Sequence, residues 1–174
     1  MRCLVPSLMQ VTNKGMEQQW FRNAVFYSLD VESFYDADGD GVGDFQGLIT
    51  RLDYIAGLGA TCIWLLPFYP SPNRDNGYDI TDYYNVDKRL GSLGDFVLFI
   101  DKAKNLGIKV IVDLVVNHTS IQHPWFQEAR KDKNSKYRKY YVWSDEPQED
   151  EKAAPIFPGE ENKVWSYDEE AKQY

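Results

Sequence analysis

The most informative stretch of this sequence is Ile108-Lys-Val-Ile-Val-Asp-Leu-Val-Val116, which Asn117 and His118 follow directly. Its apolar and β-branched residues predict a strand that is buried on both faces, as in a parallel sheet covered by helices. A predicted helix precedes it. Ser92-Leu-Gly-Asp95 has the pattern of a capping box that opens the helix, and Leu106-Gly107 has the pattern that ends one. The stretch therefore predicts a helix followed by a buried strand.

The same alternation extends toward the N-terminus. Strands are predicted over Val25 to Val31 and over Ile63 to Leu66, with a helix between them that ends at Leu58-Gly59. The order β-α-β-α-β indicates an α/β fold with a parallel sheet, in which sites lie at the C-terminal ends of the strands. A further short helix is predicted over His123 to Asp132. The apolar stripes of the first two helices are Leu48, Leu52 and Ile55, and Phe96, Phe99, Ile100 and Ala103.

The composition excludes several classes of function. With 43% hydrophobic residues in 174, the chain has the composition of a globular protein, and its net charge of −8 argues against a nucleic-acid partner. No apolar run approaches the ~18 residues of a membrane span, so no membrane partner is expected. No GxGxxG follows the first strand, and no organic cofactor is expected. Cys3 and Cys62 form no disulfide framework, which favours a reducing, cytoplasmic location.

An acidic loop follows the first strand. It reads Asp36-Ala-Asp-Gly-Asp-Gly-Val-Gly-Asp44, so its carboxylates stand at alternate positions with glycines that allow a tight wrap. Oxygen ligands at such spacing suit Ca²⁺, and the carbonyl of Val42 could fill a gap between carboxylates. The pattern is not an EF-hand, because loop position 12 is Gly47 rather than Glu. The alternative is an acidic turn without an ion, but mutual repulsion of four Asp favours the ion.

Two further clusters follow the second and third strands. Tyr78 and Asp79 offer a ring for stacking and a carboxylate that accepts from hydroxyl groups, as a carbohydrate site requires. The spacing fits an ordinary loop with a buried Tyr equally well. Asp113 needs a partner within its apolar strand, and period-2 alternation places it with Val115 and Asn117 on one face. His118 then lies at the strand's C-terminal end, either in a site or as a core histidine. A metal pair of His118 with His123 has little support.

Together these motifs resemble the α-amylase family of glycoside hydrolases, family 13. The resemblance rests on Asp113-Leu-Val-Val-Asn-His118, on Gly77-Tyr-Asp79 and on the DxDxDGxGD loop at 36–44. It covers about residues 20–174. Within the family, Trp64 to Pro72, Asn117 to Phe126 and Tyr140 to Asp145 are most similar to trehalose synthases, although Ile121 stands where that subgroup carries an acidic residue.

The resemblance implies a role for each motif. Tyr78 would stack on a glucosyl ring, Asp79 would bind its hydroxyls, and His118 would donate a hydrogen bond to the sugar. Asp113 would orient an arginine from a fourth strand, and Asn117 would support the site. The structural Ca²⁺ would be held by Asp36, Asp38, Asp40, the Val42 carbonyl and Asp44.

The fold implied is a (β/α)₈ barrel, of which ~250 residues are typical. Residues 1–19 are expected to be a disordered leader, 20–118 the first three strands of the barrel, and 119–174 the incomplete start of an inserted, irregular B domain. The family's nucleophile, acid/base and third carboxylate follow strands 4, 5 and 7, beyond Tyr174, so no catalytic residue is expected here. Pattern alone would nominate Asp79 and Asp113 as the catalytic pair, but the resemblance implies positioning roles for both.

The function implied is that of the N-terminal part of a retaining enzyme that interconverts maltose and trehalose, inactive by itself. Two alternatives remain open: a fragment of an α-glucosidase or α-amylase, and a non-catalytic, calcium-stabilised sugar-binding module. The expected partner is an α-glucosidic sugar such as maltose or trehalose. A three-stranded piece of a barrel also leaves an open sheet edge, through which the chain could associate with itself.

Overall fold

The computed structural model describes residues 19–147 and 165–174. The predicted leader therefore lies outside the described residues except for Gln19, as does the stretch 148–164 of the predicted B domain. The described elements are, in chain order, a 3₁₀ turn Trp20–Asn23, β1 Phe26–Leu29, α1 Val31–Phe34, α2 Phe45–Gly57, β2 Cys62–Leu65, α3 Leu93–Asn105, β3 Lys109–Val112, α4 Pro124–Lys131 and a 3₁₀ turn Arg138–Tyr140.

The three strands form one parallel sheet in the order β1-β2-β3. The register aligns Leu29 with Leu65 and Leu65 with Val112, so the C-terminal ends of all three strands meet at one edge. A helix follows each of the first two strands and returns the chain to the start of the next. This is the β-α-β-α-β order predicted from the sequence, and it is the arrangement from which a (β/α)₈ barrel is built.

Both long helices end where the sequence predicts, and α3 also begins where it predicts. The Asp44 side chain caps α2 by accepting the Gly47 N–H, and Ser92 and Asp95 form the reciprocal capping box of α3. Beyond the helices, Gly59 and Gly107 have φ of +85° and +73°, the left-handed conformation that ends a helix after Leu. Local side-chain chemistry thus accounts for the bounds of both helices.

The core lies between the helices and one face of the sheet. Leu48, Leu52 and Ile55 of α2 are fully buried, as are Phe99 and Ala103 of α3. Partly buried Phe96 and Ile100 pack against the same cluster, so both predicted stripes are confirmed. The opposite face is not covered by a helix in this way: Phe26 and Trp64 are 45% and 39% exposed. The prediction that the strand within 108–116 is buried on both faces is wrong for this chain, because β3 has exposed and half-buried residues only.

Two strands are shorter than predicted. β1 ends at Leu29, because Asp30 accepts the Glu32 N–H and caps the short helix α1 instead of continuing the strand. β3 ends at Val112, opposite Leu65, where its neighbour also ends. The chain beyond is not a strand, so Asp113, Val115 and Asn117 do not share one strand face: Val115 is buried and Asn117 is exposed.

The chain divides into two compact units. The first unit contains the sheet and α1 to α3, and it extends to Leu114 with 70–83 left out. The second unit contains 70–83 and 115–174. In the second unit the ring of Trp125 lies among the rings of Tyr83, His123, Tyr137 and Tyr140. The backbones of Ser144 and Tyr174 form a reciprocal hydrogen-bonded pair. Within the described ranges, every helix is too short or too polar to cross a membrane.

Candidate functional site

The acidic loop 36–44 is closed by backbone contacts at its two ends. Gly43 donates its N–H to the carbonyl of Glu32 at 2.6 Å, and Asp44 donates to the carbonyl of Tyr35 at 3.1 Å. A Cβ atom on Gly43 would overlap the carbonyl oxygen of Val31, so the close approach requires glycine. The loop is therefore held in one conformation by its surroundings in the first unit.

Within the loop, the aspartates bind the backbone. Asp36 accepts the N–H groups of Gly41 and Gly39 at 2.8 and 2.6 Å, and these bonds, the first from Gly41, lower the pKa of Asp36. Asp38 accepts from Asp40, and Asp40 accepts from Val42. The loop is therefore braced by hydrogen bonds from its own backbone to the carboxylates of Asp36, Asp38 and Asp40.

One carboxylate oxygen each from Asp36, Asp38 and Asp40 lies within 4.8 Å of the other two. Oxygens that surround one Ca²⁺ at 2.3–2.6 Å are separated by distances up to about 5 Å, so this spacing fits a shared cation. Asp44 is bound differently, since its oxygens accept the Gly47 N–H at 2.6 Å and the Ala37 N–H at 2.9 Å. A ligand role for Asp44 and for the Val42 carbonyl stays a prediction.

Asp113 follows β3 directly and accepts a hydrogen bond of 2.7 Å from the indole Nε1 of Trp64, a β2 residue. Its charge also reaches Tyr69, whose pKa is raised mainly by burial and secondarily by Asp113. The sequence predicts that this carboxylate needs a partner, and the indole N–H is one. Its predicted role toward an arginine of a fourth strand stays a prediction.

Asp79 organises the loop 71–79 of the second unit. Its carboxylate accepts the hydroxyl of Ser71 at 2.5 Å and the backbone N–H groups of Arg74 and Asp75 at 3.2 and 3.4 Å. Tyr78 is fixed through its own backbone, whose N–H donates to Asp75 at 2.8 Å. A carboxylate with four lone-pair sites can still accept from a hydroxyl group after these bonds.

His118 lies beside Asn117 in the second unit. The amide Nδ2 of Asn117 is 3.2 Å from Nδ1 of His118, and an amide nitrogen donates but does not accept. The Asn117 amide thus lies against one ring nitrogen of His118 and leaves the other, Nε2, for a further contact. Within the described residues, no hydrogen bond joins His118 to Asp79.

His123, the other histidine, has a structural role. It is only 4% exposed, and its Nδ1 accepts the N–H of Trp125 and so caps α4. Burial lowers the pKa of His123, while the charge of Asp82 opposes that shift. Among the described residues, the side chains that converge as a metal-binding group are aspartates and include neither histidine, so the pair of His118 with His123 gains no support.

A cavity of about 640 Å³ also lies in the second unit. Most of its walls are aromatic, and the indole N–H of Trp165 in its lining has no hydrogen-bond partner within the described part of the chain. None of the predicted sugar residues Tyr78, Asp79 and His118 lines it. The cavity is therefore separate from the predicted sugar site.

Sequence reasoning missed Tyr83 and Ser71. The hydroxyl of Tyr83 donates to the carbonyls of Val115 and His118, and the hydroxyl of Ser71 donates to Asp79. Neither has a signal in the sequence, because a Tyr or Ser in a polar loop is common and its partner is set by tertiary contacts.

A family model described as the catalytic domain of α-amylase matches residues 30–174, most of the chain. The chain belongs to the α-amylase family. The three parallel strands and the helices of the first unit are accordingly part of the (β/α)₈ barrel of that family.

Among curated relatives of this α-amylase family member, the trehalose synthase/amylase TreS of Mycobacterium tuberculosis is 52% identical over 155 residues, which are 89% of this chain and 26% of TreS. The oligo-1,6-glucosidase of Parageobacillus thermoglucosidasius is 44% identical over 161 residues, 91% of this chain and 28% of that enzyme. The solved trehalulose synthase MutB of Pseudomonas mesoacidophila MX-45 has a TM-score of 0.70 at 49% identity, covering 72% of this chain and 22% of MutB. The chain thus spans about a quarter of the length of the relatives it matches.

Proposed function

We propose that these residues are the N-terminal part of a retaining enzyme that interconverts maltose and trehalose by moving an α-glucosyl unit. The 52% identity to a trehalose synthase/amylase carries the proposal. The named relatives and neighbours include enzymes of α-glucosides, and a mutant of MutB has been solved in complex with glucose. A reducing, cytoplasmic location is part of the same proposal, in keeping with the free thiol of buried Cys62.

The side chains of the second unit have the chemistry for one glucosyl unit. The ring of Tyr78 offers a face on which the apolar side of a sugar ring stacks. Asp79 keeps lone pairs for sugar hydroxyl groups, and His118 would donate a ring N–H to the sugar while Asn117 lies against its Nδ1. In this proposal these groups bind and orient the sugar, and the chemistry is left to carboxylates beyond Tyr174.

An experiment on the complete product of the gene that encodes this chain tests the proposal. The product is incubated with maltose, and trehalose and free glucose are followed together. Trehalose as the main product supports the proposal. Glucose as the main product supports the alternative of an α-glucosidase or α-amylase, which the identity of 44% to an oligo-1,6-glucosidase favours. Sugar binding with neither product would support a non-catalytic module.

We also propose that the loop 36–44 holds a structural Ca²⁺. The converging oxygens of Asp36, Asp38 and Asp40 support this, as does the closure of the loop around them. A bound Ca²⁺ would supply local charge neutralisation and no chemistry of the reaction. Mg²⁺ is disfavoured, because it keeps several waters and resists an all-protein cage.

Titration calorimetry with Ca²⁺ and with Mg²⁺ tests this site. The chain is expected to give heat with Ca²⁺, and Asp38→Ala and Asp40→Ala are expected to lose it, since each removes one of three converging carboxylates. Asp101→Ala on α3 is the control, because it removes the same charge outside the loop. Equal Ca²⁺ heat in all variants, or none in the unaltered chain, would reject the site.

A further inference from the structure

The hydroxyl group of Tyr83 contacts the chain that follows β3 at two points. Beyond Val112 the backbone leaves the sheet, so its carbonyl groups need partners outside the ladder. The hydroxyl of Tyr83 lies 2.9 Å from the carbonyl oxygen of Val115 and 3.1 Å from that of His118. Both ends of the segment 115–118 thus meet the same side chain.

Tyr83 is itself held by packed rings. It stacks on Trp125 with ring centres 5.9 Å apart and lies 5.5 Å from the ring of His123. His123 caps α4, and the N–H of Ser120 donates to the carbonyl of Ile80, which ties the two loop segments together. These ring contacts fix the position of the Tyr83 hydroxyl.

We propose that Tyr83 is a positioning residue for His118. The inference rests on the proposed function, in which His118 donates a hydrogen bond to the sugar. By holding the carbonyl of His118, the Tyr83 hydroxyl restricts the backbone from which the imidazole projects. Tyr83 does not touch the sugar and acts only through His118.

Hydrogen–deuterium exchange, measured by mass spectrometry on the 174-residue chain, tests the contact. Tyr83→Phe removes the hydroxyl and keeps the ring stack. Exchange in 113–120, where the N–H groups of Asp113 and Ser120 donate to the carbonyls of Leu65 and Ile80, is expected to rise about two- to tenfold, the range for loss of one ordinary hydrogen bond. Tyr141→Phe is the matched control, since it removes a hydroxyl of the same unit that bonds the Thr119 side chain at 2.9 Å. It should leave the exchange of 113–120 close to that of the unaltered chain.

The affinity for maltose of the complete product of the gene that encodes this chain, measured as its KM, tests the role. Tyr83→Phe is expected to weaken binding about two- to tenfold. In a His118→Ala chain, adding Tyr83→Phe should change nothing further, whereas a general structural defect would weaken binding in both backgrounds. Normal maltose binding with unchanged exchange in Tyr83→Phe would overturn the positioning role alone. No use of maltose by the unaltered complete product, with raised exchange in Tyr83→Phe, would overturn the proposed function instead.

Discussion

Gly47 lies in the first turn of α2, where the helix crosses the backbone of Tyr35. A Cβ atom at this position would overlap the carbonyl oxygen of Tyr35, and backbone can give way less easily than a flexible side chain. The N–H of Gly47 also donates to the side chain of Asp44, which caps the helix. One residue thus sets both the start of the helix and the closure of the acidic loop.

Gly47→Ala is expected to lower the free energy of unfolding by about 1–3 kcal/mol, the usual cost of forcing atoms into a packed site. Gly57→Ala is the control in the same helix, because a Cβ there meets open space. That change should be neutral or stabilise by up to about 1 kcal/mol through helix propensity. Urea unfolding of the two variants measures the difference, and equal effects would show that the contact with Tyr35 does not matter.

At the scale of the element, α4 depends on a neutral histidine. The Nδ1 of His123 must accept the N–H of Trp125 to cap the helix, and a protonated ring has no acceptor. Burial already lowers the pKa of His123 from its ordinary value of about 6.5. Folding therefore favours the neutral form.

The stability of the chain is expected to fall as the pH drops below about 6.5 toward the lowered pKa of folded His123. In that window the unfolded chain binds the proton more readily than the folded chain, so acid favours unfolding. Above pH 6.5 both states are neutral at this residue and the contribution is fully present. Urea unfolding across this range should show less pH dependence in His123→Asn, which keeps a capping acceptor that does not titrate. The same pH dependence in both chains would contradict the prediction.

At the scale of the whole molecule, the two outer strands of the sheet have unpaired backbone groups, and one face of the sheet is partly exposed. Within the described residues, β1 and β3 are each paired on one side only. On that face Phe26 and Trp64 are 45% and 39% exposed, and Val112, at the end of β3 and on the other face, is 39% exposed. Unpaired strand edges beside apolar side chains are a common cause of association between chains.

A polypeptide of these 174 residues is therefore expected to self-associate when purified alone. Light scattering over a concentration series should show a rising mean mass, and a dye for apolar surfaces should bind. Exposed Val112→Lys on the β3 edge should reduce both signals, because a charge there opposes edge pairing. A monomer at all concentrations with no dye binding would contradict the prediction.

The same polypeptide is expected to catalyse no glucosyl transfer. Retaining enzymes need two carboxylates ~5–5.5 Å apart on either side of one bond. The residues that bind sugar in our proposal only position it, which supplies part of the catalytic effect and no nucleophile. Incubation with maltose and with trehalose, beside His118→Ala and Tyr78→Ala, measures turnover. Turnover that follows the purified chain and disappears in His118→Ala would show a complete site within these residues.

The sequence by itself determined the order of the elements, both long helices and the family. Its helices could be predicted because their hydrogen bonds join residues four apart, and the signals at their ends, Asp44, Ser92 and Gly107, lie within the same few residues. The family motifs are likewise contiguous. The converging carboxylates of Asp36, Asp38 and Asp40 followed from spacing in one loop.

Only the tertiary structure decided where the strands end and which loop side chains meet. A strand needs hydrogen bonds from a neighbour that is distant in sequence, so β3 ends at Val112 because β2 ends opposite it at Leu65. The same reason hides Tyr83, whose hydroxyl meets a carbonyl 35 positions away. The cap formed by His123 is hidden too, since a histidine before a proline has no strong local signal. His123 accepts the N–H of Trp125 because burial favours its neutral form.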